Sequence, residues 1–117
     1  MKTNFELKIS EIEKDRIVIK DLEHFARFLS ITADSIGKGK HIGDRYYVTI
    51  ALPDAPFSGP SVQENRIVFM SDLFINGITT DSIVAVNTGE SQRVLIYDRD
   101  IPSYLKIGDK ICIRVWF

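Results

Sequence analysis

The sequence predicts an α+β fold dominated by β-structure: a small antiparallel β-sandwich or barrel of about seven strands, with one helix packed across it. Three observations carry that expectation. Apolar and polar residues alternate in short segments along the chain, most strictly in Lys110-Ile111-Cys112-Ile113-Arg114-Val115-Trp116-Phe117. Turn-forming residues separate these segments at the spacing of a sandwich or barrel. One stretch, Asp21 to Ile36, instead has the period of an amphipathic helix. Helices do not alternate with strands, so parallel βαβ winding is not expected.

Taken in order, Phe5, Leu7 and Ile9 alternate with Glu6, Lys8 and Ser10 and predict the first strand. Glu13-Lys14-Asp15 is a turn, and Arg16-Ile17-Val18-Ile19-Lys20 completes a hairpin. Asp21 is then read as a helix N-cap. Leu22, Phe25, Phe28, Leu29, Thr32, Ala33 and Ile36 form the apolar stripe, and Gly37 stands where a glycine stops a helix. Arg45 to Leu52 is a strong strand, with Tyr46, Val48, Ile50 and Leu52 sharing a face. Residues 53–65 hold three prolines and a glycine and predict a long irregular loop, of a length that is often functional. Arg66 to Met70 predicts a short strand. Ser71-Asp72 then caps a single helical turn through Ile75, and Asn76-Gly77 forms a turn. Ser82 to Asn87, Gln92 to Tyr97 and Lys110 to Phe117 are the last three strands. In the final one Ile111, Ile113, Val115 and Phe117 share the core face. A terminal Phe is expected to be tied into a sheet or an interface, because loose termini fray.

The chain of 117 residues is 44% hydrophobic and 26% charged, which suits one domain over residues 1–117 and argues against disorder. Its net charge of −1 supplies no global pull on nucleic acid or anionic membranes, so nucleic acid is disfavoured as a partner. A lone cysteine, Cys112, excludes an intrachain disulfide and a cysteine-rich zinc site. No apolar run approaches the ~20 residues of a membrane span, and Met1-Lys2-Thr3-Asn4 leads into strand without a signal-like segment. A soluble, cytoplasmic protein is expected, with no cofactor and no metal.

Four groups of residues invite a chemical reading. Gly37-Lys38-Gly39-Lys40-His41-Ile42-Gly43-Asp44-Arg45 combines glycines with cations, and Tyr46 and Tyr47 follow it. Such a segment suits an anion, with Lys38, Lys40, His41 and Arg45 on phosphate and a tyrosine stacking on a base. It lacks the spacing of a nucleotide-binding phosphate loop, and a solvated connection explains it as well. His24 and His41 lie in separate segments without the further ligands that a metal needs. Asp98, Asp100 and Asp109 all fall in turns, where aspartate serves local amides. Cys112 shares a face with Arg114, which can lower a thiol pKa, but it reads more simply as a small residue on a sheet. No catalytic constellation emerges. Trp116 and Arg114 on the outer face of the last strand, with Phe57 in the Pro/Gly loop, have the composition of interface anchors.

The segment Asn76-Gly77-Ile78-Thr79-Thr80-Asp81-Ser82-Ile83-Val84-Ala85-Val86, with the two strands after it, resembles β-domains of bacteriophage tail-fibre and baseplate proteins. Those modules carry a Gly-Ile-Thr turn, an Ile-Val-x-Val strand and a closing strand. The resemblance covers the final third of the chain. It implies a structural or receptor-binding role, often as a homotrimer, with a place in the virion, and it transfers no functional residue. The leading expectation is therefore a non-enzymatic binding or assembly domain, with a protein partner or self-association. The alternatives are a small barrel binding nucleic acid or a nucleotide through residues 37–47, and a small enzyme with its site at residues 53–65.

Overall fold

Strict alternation gives each strand one apolar face, and the most economical way to bury eight such faces is to roll the sheet into a cylinder. The computed structural model, which describes residues 1, 3–21, 28–32, 40–57 and 61–117, has that form. Its strands are β1 (Asn4–Ile12), β2 (Arg16–Asp21), β3 (Phe28–Thr32), β4 (Arg45–Ala51), β5 (Ile67–Ile78), β6 (Ser82–Val86), β7 (Arg93–Tyr97) and β8 (Lys110–Trp116). They close a barrel in the order β1-β2-β3-β7-β6-β5-β8-β4, with β4 returning to β1 and every pairing antiparallel. Closure leaves no strand edge exposed.

The inward positions are almost all aliphatic. Leu7, Ile9, Ile17, Ile19, Leu73, Ile83, Ile96 and Ile113 are essentially inaccessible to solvent. An eight-stranded barrel is just wide enough for such side chains to fill it. Each is worth roughly 1.5–3 kcal/mol relative to exposure. Register slips at Ile9/Glu11, Ile67/Phe69 and Ile75/Gly77 mark bulges. An extra residue sharpens the local twist and bend, which closure requires.

Two parts of the expected layout are corrected. The barrel has eight strands rather than seven, because Phe28, Leu29 and Thr32 lie in β3 and not on a helix. Leu29 and Ile31 point inward at period two, and Ser30 pairs with Val18 on one side and Leu95 on the other. Backbone pairing on both edges outweighs the helical spacing of the apolar residues. Phe28 faces outward and stacks on Tyr97 at 4.4 Å. Asp21 is the last residue of β2, and residues 22–27 and 33–39, which hold the rest of that stretch, lie outside the described residues. Among the described residues the helical content is one 3₁₀ turn, Glu64–Arg66, and no helix is long and apolar enough to cross a membrane.

The second correction concerns residues 71–77. Ser71-Asp72 caps nothing and Asn76-Gly77 is not a turn; both lie within the twelve-residue β5. This strand pairs first with β8 and then with β6, and Asn76 sits at a bulge. The actual reversal is at Thr79-Thr80-Asp81. There Thr79 Oγ1 accepts from the Ser82 amide at 3.0 Å and donates to Asp81 Oδ1 at 2.9 Å. Farther on, Lys106 to Lys110 forms the tight turn its sequence suggests. Gly108 takes φ +95°, and Asp109 Oδ2 accepts from the Lys106 amide at 3.0 Å. The side chain of Phe117, expected in the core, is 51% exposed. Its amide donates to the Arg66 carbonyl at 3.0 Å, but strand pairing ends at Trp116, so the ring lies beyond the barrel wall.

Candidate functional site

Since Ile113 and Val115 point inward, Arg114 and Trp116 stand on the outer wall. Register then decides their neighbours. Trp116 lies opposite Tyr47 of β4, which lies opposite Glu6 of β1. Arg114 lies opposite Thr49, which lies opposite Asn4. The Tyr47 and Trp116 rings stack, with centroids 4.6 Å apart and planes at 25°. From the other flank of β8, the Arg66 guanidinium lies 5.7 Å from the Trp116 ring. Trp116 is thus on the outside of the barrel and yet only 7% exposed. Its indole nitrogen Nε1 is buried and has no hydrogen-bond partner among the described residues.

The next row is as well ordered. Arg114 Nε donates to Thr49 Oγ1 at 3.1 Å, and its guanidinium lies 3.8 Å over the ring of Phe57. Phe57 is half-buried, folded back against the wall rather than projecting from it. The three anchors read from the sequence, Phe57, Arg114 and Trp116, therefore converge on one face. Beside them opens a cleft of about 510 Å³, lined by Asn4, Glu6, Tyr47, Thr49, Ser61, Arg66 and Trp116 among others.

The glycine and lysine segment looks different. Lys38 lies outside the described residues, and Lys40 is half-buried. The His41 amide donates to Asp44 Oδ2 at 2.7 Å, and the imidazole lies 3.8 Å from the same carboxylate. Arg45 lies 3.7 Å from Glu6. Backbone bonds between Gly43, Asp44 and Ile9 dock this turn on β1. His41 and Arg45 thus face carboxylates of their own chain. Of the tyrosines beside it, Tyr46 is buried in the barrel and so is no platform for a base, whereas Tyr47 belongs to the Trp116 row.

The remaining candidates have structural roles. Asp98 is buried, and its Oδ1 accepts from the Asp100 amide at 3.0 Å. No group of three or more metal-ligating side chains comes together among the described residues, and His24 lies outside them. Burial, reinforced by a hydrogen bond to Asp72, pushes the Cys112 thiol up to about 11, despite Arg114 and Lys110 nearby. Folding therefore holds a proton on Cys112 that the unfolded chain releases near pH 9. Stability is expected to fall as pH rises from about 9 to about 11, a loss that Cys112→Ser removes. Denaturant midpoints at pH 8 and pH 10.5 check this, and an identical pH dependence in the variant would contradict it.

Tyr47, Arg66, Asn4 and Ser61 complete the face and were not singled out together by the sequence. The outward parity of Tyr47 was legible from the inward Tyr46 and Val48. Its pairing with Trp116 was not, since it joins residues 69 apart through barrel closure. No family model matches this chain, and no curated protein is significantly similar to it.

Proposed function

We propose that this chain is a non-enzymatic binding domain that engages its partner on the outer wall of β4 and β8, at the cleft beside Phe57, Arg114 and Trp116. One observation carries the reading. Tyr47, Trp116 and Arg66 line up on the outside of a barrel whose interior is an apolar core. Aromatic residues and arginine held rigid at a surface lose little entropy on binding, and they dominate the energetics of contact surfaces. The second row, Arg114 on Phe57, extends the same surface toward residues 53–57.

The test is a nuclear magnetic resonance screen of small polar aromatic fragments against the ¹⁵N-labelled protein. Shifts are expected to concentrate on the amides of Tyr47, Thr49, Arg114 and Trp116, and to shrink severalfold in Phe57→Ala. Hits that scatter over the barrel, or that gather on the opposite wall at Ser30, Thr32 and Arg93, would refute this assignment.

A further inference from the structure

We infer that the cleft takes a nucleoside monophosphate, with its base stacked on Tyr47 and its single phosphate on Arg66. The inference rests on the binding reading above and adds the chemistry of the ligand. The volume of about 510 Å³ lies within the roughly 300–1,000 Å³ of small-molecule sites. Tyr47 is 40% exposed and is backed by Trp116, so it offers a planar surface that needs no ordering on binding. Arg66 is exposed and has no carboxylate partner among the described residues; its guanidinium lies 5.7 Å from the Trp116 ring. A guanidinium fork placed beside a cleft suits a phosphate.

The decisive observation is the indole nitrogen. A buried N–H without an acceptor is costly, and native structures rarely keep one. Trp116 keeps one in a side chain that lines the cleft. Nε1 itself is closed off from solvent, so the groups that cover it must give way for a ligand oxygen to pair with it, and that pairing removes the cost on binding. On the β1 side of the cleft lies Glu6, whose carboxylate is 3.7 Å from Arg45 and has a second oxygen with which to accept from the edge of a base.

Two arguments limit the ligand to a small one with one phosphate. Arg66 is the only cation lining the cleft among the described residues, and Glu6 would repel a second phosphate. The net charge of −1 gives a polynucleotide little further hold. A peptide lacks its usual foothold as well, because a closed barrel has no free edge on which to add a strand.

Trp116 is the only tryptophan, so intrinsic fluorescence reports on the site directly. Titrations would use guanosine 5′-monophosphate, guanosine and inorganic phosphate, with calorimetry as the second readout. The monophosphate is expected to quench the fluorescence and to bind about tenfold more tightly than either guanosine or phosphate. Arg66→Gln should reduce its affinity to that of guanosine. Trp116→Phe, followed by calorimetry, should weaken it severalfold while the fold is retained. Equal binding of guanosine and its monophosphate, or an unchanged affinity in Arg66→Gln, overturns the inference, as does no binding at millimolar concentration. If nucleotides fail while aromatic fragments still map to Tyr47 and Trp116, the ligand class is wrong and the binding face stands. If both fail, both readings fall.

Discussion

Leu73→Ala is expected to lower the unfolding free energy by about 3 kcal/mol, within the 2–5 kcal/mol typical of buried leucine truncations. Leu73 is fully buried at the middle of β5, opposite Ile111 of β8. Neighbours fixed in two sheet ladders cannot collapse into the vacated space, so both the transfer and the cavity costs apply. Against a total stability of about 5–15 kcal/mol, such a loss is large. The adjacent Phe74 is 40% exposed on the outer wall, and Phe74→Ser should cost well under half as much. Urea denaturation of the two variants decides the matter, with an unchanged slope showing that only stability moved. This contrast tests the period of the segment itself. Comparable losses at 73 and 74 would mean that residues 71–75 do not alternate as a strand.

That segment also shows where the sequence was legible and where it was not. β8 could be read residue by residue up to Trp116, because its alternation is strict and its inward residues are β-branched. β1 and β4 were legible from alternation as well, and β2 as the run of β-branched residues that follows the Glu13-Lys14-Asp15 turn. β5 was not, because Ser71-Asp72 and Asn76-Gly77 have the local chemistry of a cap and a turn. Long-range pairing with β8 and β6 recruits them into one strand, and the turn signal survives as a bulge. β3 was lost because Leu29 and Ile31 satisfy a strand, while Phe28, Leu29 and Thr32 satisfy a helix. Only the partners on either side choose between the two. Closure depends on β1 meeting β4 and β3 meeting β7, pairings that no local pattern encodes.

The candidate face divides along the same line. Arg114 and Trp116 could be placed outside from parity alone, and Phe57 could be flagged as an aromatic in a loop. Their meeting, with Tyr47, Thr49 and Arg66 as neighbours, required the β1-β4-β8-β5 order around the barrel. Phe117 shows the limit of parity. The rule put it inside, but the wall had already ended at Trp116.

Trp116 is the residue at which fold and proposed function meet, and its two substitutions should behave very differently. Trp116→Ala is expected to cost about 3–5 kcal/mol, because it strips a 93%-buried ring from between Tyr47 and Arg66, the exposed remainder being 7%. Trp116→Phe keeps an aromatic surface for both neighbours. It also deletes a buried donor with no partner among the described residues, whose burial costs roughly 1–3 kcal/mol. That gain offsets much of the lost packing, so the phenylalanine variant should lie within about 1.5 kcal/mol of the wild type. Denaturant titration of both variants measures the difference. A phenylalanine variant as unstable as the alanine one would show that the N–H, and not the ring, holds Trp116 in place. The donor would then already be satisfied within the fold and would not be held in reserve for a ligand. A stable Trp116→Phe protein that has lost affinity for guanosine 5′-monophosphate would instead separate the ring, which the barrel needs, from the nitrogen, which the fold leaves for a partner to pair.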